Sequence, residues 1–150
     1  MVASGPSLRL PAVLAAALRV AWLDGVAEQR EPCGYLIGGV APDGSLEIVR
    51  APTGVNVDPE PARAFRLAPE EHLAMRREAR QVGARVLGLW HGHLVGDARP
   101  SRADADGLGP LGPQVALILG ADADDPPRLA AWRRVEGASG WEELPVAIVD

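Results

Sequence analysis

The chain has 150 residues, 47% hydrophobic and 23% charged, the proportions of one globular domain with room for a sizeable core. Its formal net charge of -5 argues against a nucleic-acid-binding surface, which is normally basic, and no apolar run is long enough to cross a membrane. A single cysteine, Cys33, excludes an internal disulfide framework and a cysteine-only zinc site, and fits a reducing cytoplasm.

In chain order, Leu8 to Leu10 reads as a short strand. Pro11 suits the first position of a helix, where its missing N–H costs nothing. Leu10, Leu14, Ala17, Leu18 and Ala21 then share one face, and Asp24-Gly25 offers a stop. The runs CGYLIGGV and SLEIVRA flank the turn sequence APDG and predict an antiparallel hairpin. Residues 53 to 62, rich in Gly, Asn, Asp and Pro, form a loop. AFRL follows as a brief strand, and PEEHLAMRREARQVG as a helix opened by Pro69, with Glu70 and Glu71 at its positive end and Gly83 closing it. ARVLGLWH has the length and apolar character of a buried central strand. After a loop and a short helix, QVALILG, RLAAWRRV and LPVAIV read as three more strands. The sum is a single α+β domain over residues 1–150: a mixed, largely antiparallel sheet flanked by helices.

Two of the three histidines lie where the central strand ends, in HGHLVGDARPSRAD. Residues i and i+2 of a strand point the same way, so His91 and His93 can project together as a pair of metal ligands. A third ligand would come from the acids that follow: Asp104, with Asp97 and Asp106 as rivals on composition alone. A His-x-His pair by itself also fits two polar residues at a strand end. Ser101-Arg102-Ala103-Asp104 likewise fits a helix capping box, Ser at the N-cap and an acid three residues on.

The whole constellation, however, resembles the JAMM motif of the JAB/MPN metalloproteases. The spacing His-x-His-x7-Ser-x-x-Asp is met by His91, His93, Ser101 and Asp104, and EPCGYLIGG resembles the upstream Glu-x-Cys-Gly segment, which identifies Glu31 as the motif glutamate. Gly92, where serine or threonine is usual, and Leu94, where proline is usual, depart from the pattern. The resemblance implies an MPN/JAB-like fold with a cytidine-deaminase-like core, and one zinc ion per chain held by His91, His93 and Asp104. Glu31 would act as general base and then acid, and Ser101 would stabilise the oxyanion.

The implied activity is hydrolysis of the amide bond after the C-terminal Gly-Gly of a ubiquitin-fold modifier or sulfur-carrier protein. The implied setting is cytoplasmic, with neither nucleic acid nor membrane as partner. Two other readings stand beside it: a scaffold that binds partners without catalysis, and a RadC-like DNA-associated protein, against which the acidic balance counts. Glu28 is the rival to Glu31. Cys33, in an apolar strand, reads as a small buried side chain, His72 as a solvated helix residue, and Trp90 as core. Asn56 is a candidate for substrate contact or for a turn.

Overall fold

The computed structural model describes residues 5–101, 115–121, 127–134 and 140–150. Their elements are β1 (Leu8–Pro11), α1 (Ala12–Glu28), β2 (Cys33–Val40), β3 (Leu46–Arg50), α2 (Pro69–Gln81), β4 (Arg85–Gly92), β5 (Val115–Gly120), β6 (Arg128–Arg134), β7 (Trp141–Leu144) and β8 (Val146–Val149). The strands form one sheet in the order β7-β6-β5-β4-β2-β3-β1-β8. It is mixed: β2–β3, β2–β4, β5–β6 and β6–β7 pair antiparallel, while β4–β5, β1–β3 and β1–β8 pair parallel. The fold is therefore α+β as the sequence implies, with β4 near the middle of the sheet.

The two strands at opposite ends of this order, β7 and β8, are separated in sequence only by Pro145. Two residues of chain reach about 7 Å at most, so the sheet curls until its two edges meet there. Pro145 has no N–H to offer β7, and its carbonyl accepts the Leu8 N–H at 2.8 Å as β8 begins to pair with β1. LPVAIV, expected as one strand, is divided by this proline: Leu144 closes β7 and Val146 opens β8.

One face of the sheet carries α1. Its core is Leu8, Leu10, Leu36, Ile48, Trp90, Leu117 and Leu119, against which α1 lays Ala15 and Leu18, flanked by Leu14, Ala21 and Trp22. Ala17, expected on this face, is exposed. Pro11 ends β1 and caps the helix one position ahead of where it was expected. The helix also runs past the expected stop at Gly25, to a left-handed Gln29 (φ 55°). Gly25 is small for another reason: a β-carbon there would lie 2.7 Å from both the Arg30 carbonyl oxygen and Pro32 Cδ. The residue permits a close return of the chain rather than ending the helix.

The opposite face carries α2, packed on Cys33, Tyr35, Ile37 and Leu89 through Ala79 and Met75, with Phe65 of the preceding loop in the same cluster. The expected helix is present, with Pro69 in its first turn and Gly83 (φ 72°) just past its end. AFRL, expected as a strand, is not one. Arg66 N–H donates to the Asn56 side chain at 3.1 Å, so the segment answers to a loop, with Phe65 as its buried anchor. Among the described residues no helix is long and apolar enough to cross a membrane.

Candidate metal centre

The centre is built where β4 leaves the sheet. Antiparallel pairing sets Cys33 opposite His91, and the Gly92 N–H continues the ladder by donating to the Pro32 carbonyl at 3.0 Å. Residues 31–33 and 91–93 thus run side by side, and alternation puts Glu31, Cys33, His91 and His93 on one face. All four are withdrawn from water; Glu31 is 5% exposed, His91 1% and His93 8%.

The imidazoles converge. Nε2 of His91 lies 3.1 Å from Nε2 of His93. On the other side of its ring, His93 Nδ1 sits 2.7 Å from the Asp97 carbonyl oxygen. A carbonyl only accepts, which assigns the proton to Nδ1 and leaves Nε2 with a lone pair. Two nitrogens this close can share one proton or hold a cation between them. Metal–nitrogen bonds of about 2.0–2.1 Å in a tetrahedron set neighbouring donors about 3.3 Å apart, so the observed pair is near the spacing a zinc site requires. The carbonyl behind His93 is also the outer-shell partner that commonly orients such a ligand. By donor type and spacing, these residues fit the implied ion.

Each histidine is held by neighbours distant in sequence. Phe65 stacks on His91, ring centroids 4.4 Å apart at 24°, while the His93 ring meets that of His91 edge-on with centroids 4.9 Å apart. His93 is fixed through its backbone too: its N–H donates to the Leu119 carbonyl at 2.8 Å, and its carbonyl accepts Trp22 Nε1–H at 2.8 Å. The loop that brings Asp97 round is clamped by Ala121 N–H on the Gly96 carbonyl (2.9 Å) and Trp132 Nε1–H on the Ala98 carbonyl (2.8 Å). Nothing in the sequence signalled Trp22, which lies 71 residues from His93 and reads there as another apolar helix position.

Asp97, one of the rival ligands, contributes its carbonyl; its carboxylate is half exposed and paired with Arg99 at 3.4 Å. Asp104 and Asp106, and the short helix expected around them, lie outside the described residues. Ser101, the last described residue before them, is exposed. Among the described residues no group of three or more His, Cys, Asp or Glu completes a ligand set.

Glu31 is set from behind by the 56–61 loop: its N–H donates to the Pro61 carbonyl (2.6 Å), and its carbonyl accepts Asn56 Nδ2–H (3.0 Å). Asn56 also donates to the Ala64 carbonyl, while its Oδ1 accepts from the Asp58 and Arg66 backbones. This amide serves the loop and, through it, the position of Glu31. Glu28, the rival acid, is exposed on the last turn of α1. It borders an open cleft of about 360 Å³ between α1 and residues 53–56, which reaches Pro32 beside Glu31.

Burial, with the charges of Glu71 and then Glu31, pushes the Cys33 thiol up to about 12, so it stays protonated and unreactive near neutrality. Trp90 is fully buried, as expected. His72 is not the solvated residue expected. It is half buried, 5.6 Å from the Tyr35 ring, with its Nε2 buried and unpartnered. Burial, and then Arg76, lowers its pKa from the ordinary imidazole value.

The fold has known counterparts. The solution structure of protein DSY2949 from Desulfitobacterium hafniense superposes with a TM-score of 0.79 at 23% identity, covering 95% of this chain and 93% of that one. A protein from Salinibacter ruber, also solved in solution, gives 0.67 at 26%, covering 95% and 92%. Among curated proteins none matches. Residues 12–135, which include α1, the β2–β3 hairpin and the histidine pair, match the family model for prokaryotic homologs of the JAB domain. The chain belongs to that family.

Proposed function

We propose that the protein is a zinc-dependent peptidase or isopeptidase that cuts the amide bond after the C-terminal Gly-Gly of a ubiquitin-fold modifier or sulfur-carrier protein. The observation that carries this reading is the pair of buried Nε2 atoms 3.1 Å apart, set beside the buried Glu31. His91 and His93 would hold the ion with Asp104 as the third protein ligand. When bound, zinc lowers the pKa of a coordinated water to about 7 and polarises a carbonyl oxygen.

The chain's own residues supply the rest. Glu31 takes the proton of the attacking water and delivers it to the departing amine, which leaves the carboxylate as it began. The bonds that Pro61 and Asn56 make to the Glu31 backbone keep that carboxylate aimed at one point during both transfers. Ser101 donates a hydrogen bond from its hydroxyl to the oxyanion as the carbonyl becomes tetrahedral. Asp97 keeps His93 in the tautomer that presents a lone pair.

Two substrates test the proposal on zinc-loaded protein: a carrier extended beyond its glycines by a peptide bond, and the same carrier joined to a lysine side chain. Intact mass is the readout. Cleavage after the glycines, reduced at least about 100-fold in Glu31→Gln with zinc retained, is the expected result. Neither cleavage nor zinc binding would overturn the hydrolase reading in favour of a partner-binding scaffold.

A further inference from the structure

Gly92 stands between the two histidines, and its α-hydrogen side is closed. A β-carbon there would lie 2.8 Å from Trp22 Cδ1 and 3.0 Å from Pro32 Cγ. The same Trp22 ring donates its Nε1–H to the His93 carbonyl at 2.8 Å. One α1 side chain therefore fills the space that a side chain at position 92 would take, and holds the backbone of the residue after it.

That hold falls where the β2 side of the sheet runs out, while β5 still pairs Gly92 with Leu119. β4 ends at Gly92, so the Cys33–His91 pair is the last rung of the β2–β4 ladder inside the strands. Beyond it, the Gly92 N–H reaches back to the Pro32 carbonyl, and His93 is fixed by Leu119 of β5 on its N–H and by Trp22 on its carbonyl. Without the indole N–H, the His93 carbonyl, part-buried at this contact, loses its partner. The 93–94 peptide could then rotate about the His93 α-carbon, loosening both the aim of the imidazole and the Leu119 bond on the residue's N–H side.

We infer that Trp22 is a positioning residue for His93: its N–H fixes the His93 carbonyl, and its ring is the reason residue 92 is glycine. The inference rests on the metal-centre reading for its consequence, since an imidazole displaced by a rotating peptide loses its spacing to His91.

Trp22→Phe deletes the N–H and keeps an aromatic ring over Gly92. Two measurements read the result. In zinc-free protein, amide hydrogen exchange at His93 is expected to speed at least tenfold, while Leu36 and Leu117, core residues of the same sheet, keep their rates. In the zinc-bound state, the dissociation constant, measured by competition with a chromophoric chelator, is expected to rise about tenfold, as when a ligand loses an outer-shell partner. A His93 amide that exchanges at its original rate, or that speeds only in step with Leu36 and Leu117, would overturn the inference. Absence of zinc binding in the unsubstituted protein would instead sink the hydrolase reading, and the exchange comparison would still decide the role of Trp22.

Discussion

His93 and His72 are both imidazoles drawn out of water on the same side of the sheet, and they are built for opposite purposes. Around His93, a carbonyl behind Nδ1, a second imidazole at Nε2 and two backbone bonds leave nothing to chance in the ring's tautomer or aim. Around His72, the packing is tilted against Tyr35 and Nε2 has no partner. The first arrangement turns a lone pair on Nε2 toward His91, as the proposed metal centre requires. The second merely penalises charge, because a buried imidazolium without a partner loses its hydration. Burial alone does not orient an imidazole; directed partners do.

The largest effect expected from breaking this contrast is at Phe65, which stacks on His91 and is 2% exposed. Phe65→Ala removes a buried ring and should cost about 3–5 kcal/mol in chemical denaturation, with zinc affinity falling alongside. A loss below about 1 kcal/mol would mean that the loop collapses to refill the site.

The smaller effect is at His72 and depends on pH. An unfolded imidazole titrates near 6.5, and in the folded chain burial moves His72 lower. As pH falls through 6.5 the unfolded state takes up the proton first, so stability present above that pH is lost toward the folded value. Thermal unfolding of zinc-free protein should therefore weaken from pH 7 to pH 5, and His72→Phe should weaken less. The remaining two histidines are common to both proteins, so the difference isolates His72. Parallel curves would show that its ring is solvated after all.

Much of this was legible because it is local. The β2–β3 hairpin follows from two strand-like runs around the APDG turn, α2 from Pro69 and Gly83, and β4 from a mostly apolar run of strand length. The shared face of the histidine pair was legible from period-2 spacing, while Glu31 was singled out only by the resemblance of EPCG to the family's Glu-x-Cys-Gly segment. What escaped was set by distant contacts. Gly25 looks like a stop until Arg30 and Pro32 are seen against it. AFRL has the composition of a strand, but the Arg66 backbone bonds within the 56–66 loop, to the Asn56 side chain and the Val57 N–H, rather than to the sheet. Trp22 and Phe65 read as ordinary apolar positions, although each grips a histidine. The division of 141–149 into β7 and β8 depends on a sheet curled far enough for Pro145 to bridge its edges.

The central claim is that His91 and His93 form a metal centre, and counting metal tests it most directly. Protein dialysed to equilibrium against buffered zinc should carry one ion per chain, as should Glu31→Gln, whereas His91→Ala should carry almost none. An empty unsubstituted protein, or a His91→Ala variant that still holds one ion, would contradict the account.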